Sequence, residues 1–207
     1  MGLFGRKRKL PPAARPPLAD DERVLAWAAA GKGPGAADGA GAVDGADAAG
    51  AADDAGAVAG AGAGEGVLVA TNLGLWLPGR GQRLGWHEIL KAVWSGRELT
   101  VTPAERVAER AGYLVVADGP AETYLLLDPG ELPHQVRARV TRSVTYTRHH
   151  PVPGGAGRIA ARRVSGVDGL SWTVRYDPGT PADDEPVIAE TDRLVAAARA
   201  ATAPADL

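Results

Sequence analysis

The chain contains no cysteine in its 207 residues, which removes disulfide staples, thiolate metal sites and thiol nucleophiles together. It has one phenylalanine, and lysine stands only at Lys7, Lys9, Lys32 and Lys91 among 23 basic residues. Arginine is therefore the default cation of a text dominated by Ala, Gly, Arg, Pro, Asp and Val, and its abundance reflects genomic composition before any binding chemistry. No run of about 18 apolar residues occurs, so no segment is expected to cross a bilayer as a helix. The basic N-terminus is followed by Pro-Pro-Ala-Ala-Arg-Pro-Pro and then acids, with no apolar centre of a signal peptide. These absences point to a cytoplasmic protein. A net charge of -2 predicts no general attraction to nucleic acid.

What is present divides the chain. Residues 1–21 read as a flexible basic and proline-rich arm, with Arg6, Lys7, Arg8 and Lys9 behind Leu3 and Phe4 and four prolines following. An apolar strand containing Trp27 comes next. Residues 31–66 are almost entirely Ala, Gly and Asp, a composition too poor in apolar surface to offset its ordering entropy, and are expected to be a disordered insertion. No phosphate-loop pattern threads through its glycines.

Regular alternation begins at Val67. "VLVAT" and "LWLP" read as a hairpin about Asn72, Leu73 and Gly74, a three-residue loop with the glycine at positive φ. That reading places Val67, Val69, Leu75 and Leu77 on one face, and Leu68 and Trp76 on the other. "RLGWHEILKAVWSG" needs a bulge near His87 and Glu88 to keep its apolar residues on one face. "ELTVT", "GYLVVAD" and "TYLLLD" follow with the spacing of an antiparallel meander. Leu132, Val136, Val140 and Val144 then recur every four residues, a helical stripe with Pro133 in its first turn. "SVTYTRHH", "GRIAARRV" and "LSWTVRYD" read as strands, the last two joined by a turn at Gly166, Val167, Asp168 and Gly169. A final helix starts near Asp183 and Asp184, with Pro186 in its first turn, and carries an apolar face of Val187, Ile188, Thr191, Leu194, Val195 and Ala198.

The stretch "VATNLGLWL" followed by "WHEI" resembles the second and third strands and the opening of the fourth in pleckstrin-homology-like domains of actinobacterial type. The resemblance covers Arg23 to about Arg142. It implies an α+β fold in which an antiparallel β-barrel or sandwich is capped by a helix. The expected organisation is then an arm (1–21), a barrel (22–142) interrupted at 31–66, an appended β-β-β-α unit (143–203) and a tail (204–207). Members of such a family bind phosphoinositides, peptides or proteins, or serve as scaffolds, so the resemblance does not name a ligand. One departure bears on lipid. The place of a basic loop between the first two strands is taken by a coil with Asp38, Asp44, Asp47, Asp53, Asp54 and Glu65 against Lys32, and like charge repels a phosphorylated headgroup.

The candidate sites are few. Trp27, Trp76, Trp86, Trp94 and Trp172 sit in apolar strand patterns and are expected in the core. His87 and Glu88 are adjacent in a strand and would point to opposite faces. His149 and His150 have no neighbouring carboxylate to complete a metal site. Asp183, Asp184 and Glu185 suit a helix start. No catalytic, cofactor-binding or metal-ligating residue is assigned, and no cofactor is expected. Between Leu132 and Val167 there is no acid, while Arg137, Arg139, Arg142, Arg148, Arg158, Arg162 and Arg163 all fall there, a candidate surface for an anion or an acidic partner. Leu3, Phe4, Arg6, Lys7, Arg8 and Lys9 are candidates for weak contact with an anionic membrane.

The sequence thus favours a non-enzymatic binding or scaffold module acting through protein–protein contacts, with peripheral contact at the inner membrane surface through the arm. The alternative is nucleic-acid or polyanion binding through the arginines, which lack interleaved aromatics other than Tyr146.

Overall fold

The computed structural model describes residues 9–33 and 66–203. The expected disorder of residues 34–65 of the insertion, and membrane contact by Leu3, Phe4, Arg6, Lys7 and Arg8, fall outside the described residues. The fold is α+β. Among the described residues eleven strands form one large, open, mostly antiparallel sheet, accompanied by two α-helices.

The strands are β1 (Val24–Lys32), β2 (Gly66–Thr71), β3 (Gly74–Trp76), β4 (Leu84–Gly85), β5 (Ile89–Ser95), β6 (Glu98–Arg110), β7 (Tyr113–Asp118), β8 (Glu122–Leu126), β9 (Val144–Val152), β10 (Gly155–Arg163) and β11 (Leu170–Tyr176). The helices are α1 (Leu132–Ser143) and α2 (Glu185–Thr202). The sheet order is β4-β3-β2-β1-β8-β6-β7-β11-β10-β9, with β5 added on β6. β1 extends through Gly31 and Lys32 because these residues pair with Leu125 and Tyr124 of β8, so order persists into the glycine-rich text.

The 13-residue β6 is the spine. Its first half lies between β5 and β8, and its second half pairs with β7. The partner changes at Ala104, where pairing with β7 begins; a bulge between Arg106 and Ala108 follows within that ladder, and Val107, the extra residue, is exposed. β7 then pairs in parallel with β11 through Leu114 and Val115. A parallel pair requires a long crossover, here supplied by β8, α1, β9 and β10.

Two cores result. The first gathers Leu68, Leu75, Trp86, Ile89, Leu99 and Leu126 under Leu132 and Val136 of α1. α1 touches β5 as well as the neighbouring β1 and β2, which β8 and β6 separate from β5 in strand order, so the sheet curls around it. The second core joins Ile159, Trp172 and Val174 to Val195 and Ala198 of α2, and it takes Tyr113 and Val115 from β7. The unit after residue 143 is therefore completed by the hairpin that precedes it.

Three local expectations are corrected. Only Asn72 and Leu73 separate β2 from β3, and Gly74 is not among the glycines with positive φ. A Cβ at Gly74 would stand 2.4 Å from the Leu84 carbonyl oxygen, so glycine is needed there for close strand approach. The shorter loop changes the register: Val69 opposes Trp76 and Ala70 opposes Leu75. Opposed residues share a face, so Leu68, Ala70, Leu75 and Leu77 enter the first core while Val69 and Trp76 turn outward. At His87 and Glu88 the chain forms a 3₁₀ turn, Trp86–Glu88, stabilised by the Glu88 carboxylate accepting the Gly85 N–H at 2.9 Å. Finally, Trp94 is 37% exposed at the end of β5 and Trp27 is half-buried, whereas Trp86 and Trp172 lie in the two cores as expected; Trp76 is buried but belongs to neither core. β5 is buried at Ile89 and exposed from Val93 to Ser95, where it runs out to the turn at Gly96.

Candidate functional site

The outward side of β1, β2 and β3 forms the floor of a cleft of about 1000 Å³. Ala29, Val67, Val69 and Trp76 line it because the two-residue loop places alternate positions of β2 and β3 on this side. One wall is the proline arm at Arg15, Pro16 and Pro17; prolines lack the N–H that would let this segment join the sheet as another strand. The opposite rim carries Arg80, Glu122 and Tyr124. Arg80 pairs with Glu122, whose other oxygen accepts the Tyr124 hydroxyl at 2.5 Å. Burial, and then the neighbouring Glu122 carboxylate, push the Tyr124 phenol well above its ordinary range. At neutral pH it is a donor held in place.

Trp76 is fixed from behind. The fully buried Glu22 carboxylate accepts the Trp76 indole N–H at 3.0 Å and the Thr71 hydroxyl at 2.6 Å on one oxygen. Its other oxygen accepts Arg83 Nη1 at 2.7 Å and the Ala19 N–H at 3.2 Å. Burial alone would raise the Glu22 pKa, but the bonds from Thr71, Trp76 and Ala19 and the Arg83 charge outweigh it and hold the group below the usual carboxylate range. The same network anchors the end of the arm. Asn72 adds to it by accepting the Arg23 N–H at 2.6 Å and donating to the Asp21 carbonyl at 3.1 Å. Trp76 is thus a ring at the bottom of the cleft with its polar atom already bonded.

The seven arginines do not converge on one surface. Arg137 and Arg142 are exposed on α1, and Arg139 between them is half-buried. Arg148 opposes Ile159, and His149 opposes Arg158. Neighbouring strand positions face opposite ways, so Arg148 and Arg158 lie on opposite faces of the hairpin. Arg163 is exposed at the far end of β10. Arg162 is only 8% exposed, its Nη1 donating to the Ile89 carbonyl at 2.8 Å and to Ser143 Oγ at 3.3 Å. Burial lowers its pKa. Of the arm's candidates, Lys9 lies within the described residues and is exposed.

The histidines are also separated. His149 Nε2 is 2.7 Å from Asp177 Oδ2 at the surface, while His150 is buried on the other face of β9. His87 is held below its ordinary pKa first by burial and further by Arg162 and Arg106, with Glu88 opposing. Among the described residues no three His, Asp or Glu side chains gather as a metal site, and no helix is long and apolar enough to cross a membrane. The cleft's ion pair escaped sequence reasoning because Arg80 and Glu122 are 42 residues apart and carry no spacing signal.

No family model matches this sequence, and neither a curated protein nor a solved structure matches it.

Proposed function

We propose that this chain is a non-enzymatic binding module acting through protein–protein contacts, and that the cleft receives an extended apolar segment of a partner protein. The observation that carries this reading is the cleft itself. Its floor is apolar, its aromatic ring is locked by Glu22, and its polar rim is already paired, so it offers shape and apolar surface with few unsatisfied groups. We read the strand run β5-β6-β8-β1-β2-β3-β4, followed by an amphipathic helix, as a pleckstrin-homology-like barrel, with β9, β10, β11 and α2 as its extension.

Glu88, the acid next to His87, is already engaged by the Gly85 N–H and lies 3.9 Å from Arg106. A second reading, polyanion binding, draws support from the exposed Arg137, Arg142, Arg148, Arg158 and Arg163, none of which forms an ion pair among the described residues. Their distribution over several faces favours the first. Contact of the arm with an anionic membrane is an accessory role in this reading; removing residues 1–8 is expected to reduce co-sedimentation with anionic vesicles, and unchanged co-sedimentation would dismiss it.

The test is site-specific photo-crosslinking in the native cytoplasm. A probe at Gly81, on the rim with open space around it, is expected to capture a discrete protein. Val67→Glu, which places a charge on the cleft floor, should reduce capture by about tenfold or more, the equivalent of about 1.4 kcal/mol. Capture from a probe at Arg163 alone, or unaffected by Val67→Glu, would reject the cleft.

A further inference from the structure

We propose that the corner formed by the Trp86–Glu88 turn, the C-terminal end of α1 and β10 binds one small tetrahedral oxyanion of the phosphate class, held bidentately by Arg162 and supported by Arg139. This site is separate from the cleft and does not depend on the reading given for it.

The argument begins with an unbalanced charge. Arg162 is more than nine-tenths buried, and no carboxylate accepts from it among the described residues. A buried cation without an anion is costly, and native folds generally supply a partner. The acid of the adjoining turn, Glu88, accepts the Gly85 N–H with one oxygen and has the other 3.9 Å from Arg106. Both protein acceptors of Arg162, the Ile89 carbonyl and Ser143 Oγ, bind the same nitrogen, Nη1.

The Nε–Nη2 edge is therefore left without a partner. This is the edge of a guanidinium whose two parallel N–H groups match the oxygens of a phosphate or carboxylate. Nε is sealed from solvent and unbonded. Nη2 is unbonded but is not among the sealed atoms, so the anion meets the guanidinium at Nη2 and must displace the groups that cover Nε to bond both nitrogens.

A second unpartnered guanidinium lies on the same helix as Ser143. Arg139 lies one helical turn before Ser143, the residue that accepts from Arg162, and residues four apart share a helix face. Its Nε is likewise buried without a partner, as is His87 Nδ1 on the turn. Two guanidiniums balance a dianion, which favours phosphate or sulfate over a monocarboxylate.

Isothermal titration of the full chain with sodium phosphate, at constant ionic strength in a chloride background, tests this. Saturable 1:1 binding is expected, at least tenfold weaker in Arg162→Met, several-fold weaker in Arg139→Gln and unchanged in Arg158→Gln, which is exposed on the same strand. Sodium acetate should bind at least tenfold more weakly than phosphate. Should Arg162→Met fail to fold, the Nε–H resonance of Arg162 in the unaltered protein provides the readout and should shift with phosphate concentration. No saturable binding, equal loss in Arg158→Gln, equal affinity for acetate or a stationary Arg162 resonance would each overturn the proposal.

Discussion

The surroundings of Glu22 and of Arg162 present opposite solutions to one problem. Each places an ionisable group in the interior, one at the arm-to-sheet junction and one where the two cores meet. Glu22 receives four donors on two oxygens, including a guanidinium, and is kept ionised. Arg162 finds two neutral acceptors on one nitrogen and no counter-charge, and beside it His87 is kept neutral. A charge enclosed by complementary partners fastens elements together, whereas one enclosed without them marks where something else belongs.

The largest effect should come from breaking the complete network. Glu22→Gln retains volume but turns an amide donor toward donors, and leaves Arg83 without its anion. A loss of about 3 kcal/mol is expected, since removing one partner of a buried pair typically costs 3–5. Urea unfolding at pH 7 measures it, and a loss under 1 kcal/mol would show that the arm is not anchored by this carboxylate.

Acid should attack the two regions in different windows. His87 has a folded pKa below its unfolded value of about 6.5, so the unfolded chain takes up the proton first and stability declines as pH falls below that value. The slope is at most about 1.4 kcal/mol per pH unit for one such group. Burial, then the charge of His149, lower His150 in the same sense against the opposing influences of Arg148, Glu190 and Asp177. The intact protein is therefore expected to show the sum of two such contributions, and His87→Gln to retain only one. Glu22, also depressed, contributes stability fully present above about pH 4.3 and lost as pH falls through its folded value. Denaturant midpoints measured from pH 8 to pH 3 should resolve the two declines. A midpoint independent of pH between 7 and 5 would contradict the burial of the histidines.

Arg162→Met should cost far less than Glu22→Gln, about 1 kcal/mol, because the lost bonds to Ile89 and Ser143 are offset by removing a desolvated charge. A loss of 3 kcal/mol or more at pH 7 would mean that Arg162 has its anion from the protein and would erase the contrast. The smallest effect belongs to Arg158→Gln, expected within about 0.5 kcal/mol as an exposed change on the same strand.

Much of the fold was legible. The four-residue stripe ending near Val144 became α1, and the apolar face from Val187 to Ala198 became α2, because a helical period states which side is buried. Asp184 stands at the N-cap of α2 as expected, although its side chain makes no capping bond. The candidate sites were less legible. Alternation places a hairpin at Asn72 but does not distinguish a two-residue loop from a three-residue one, and with a period of two that single residue reverses the faces. Trp76 consequently belongs to the cleft and Leu75 to the core. The arginine-rich stretch was visible as composition, while the burial of Arg162 depended on where β10 docks.

Local alternation and composition determined by themselves that this chain would be a sheet protein with two amphipathic helices and a glycine- and alanine-rich interruption, because those signals depend on neighbours along the chain. Only the tertiary structure decided that Glu22 would meet Arg83 and that Arg162 would meet Ile89, contacts spanning 61 and 73 residues. Register, bulges and the crossover to β11 set which distant groups share a space, and the electrostatic character of an interior position follows from that company.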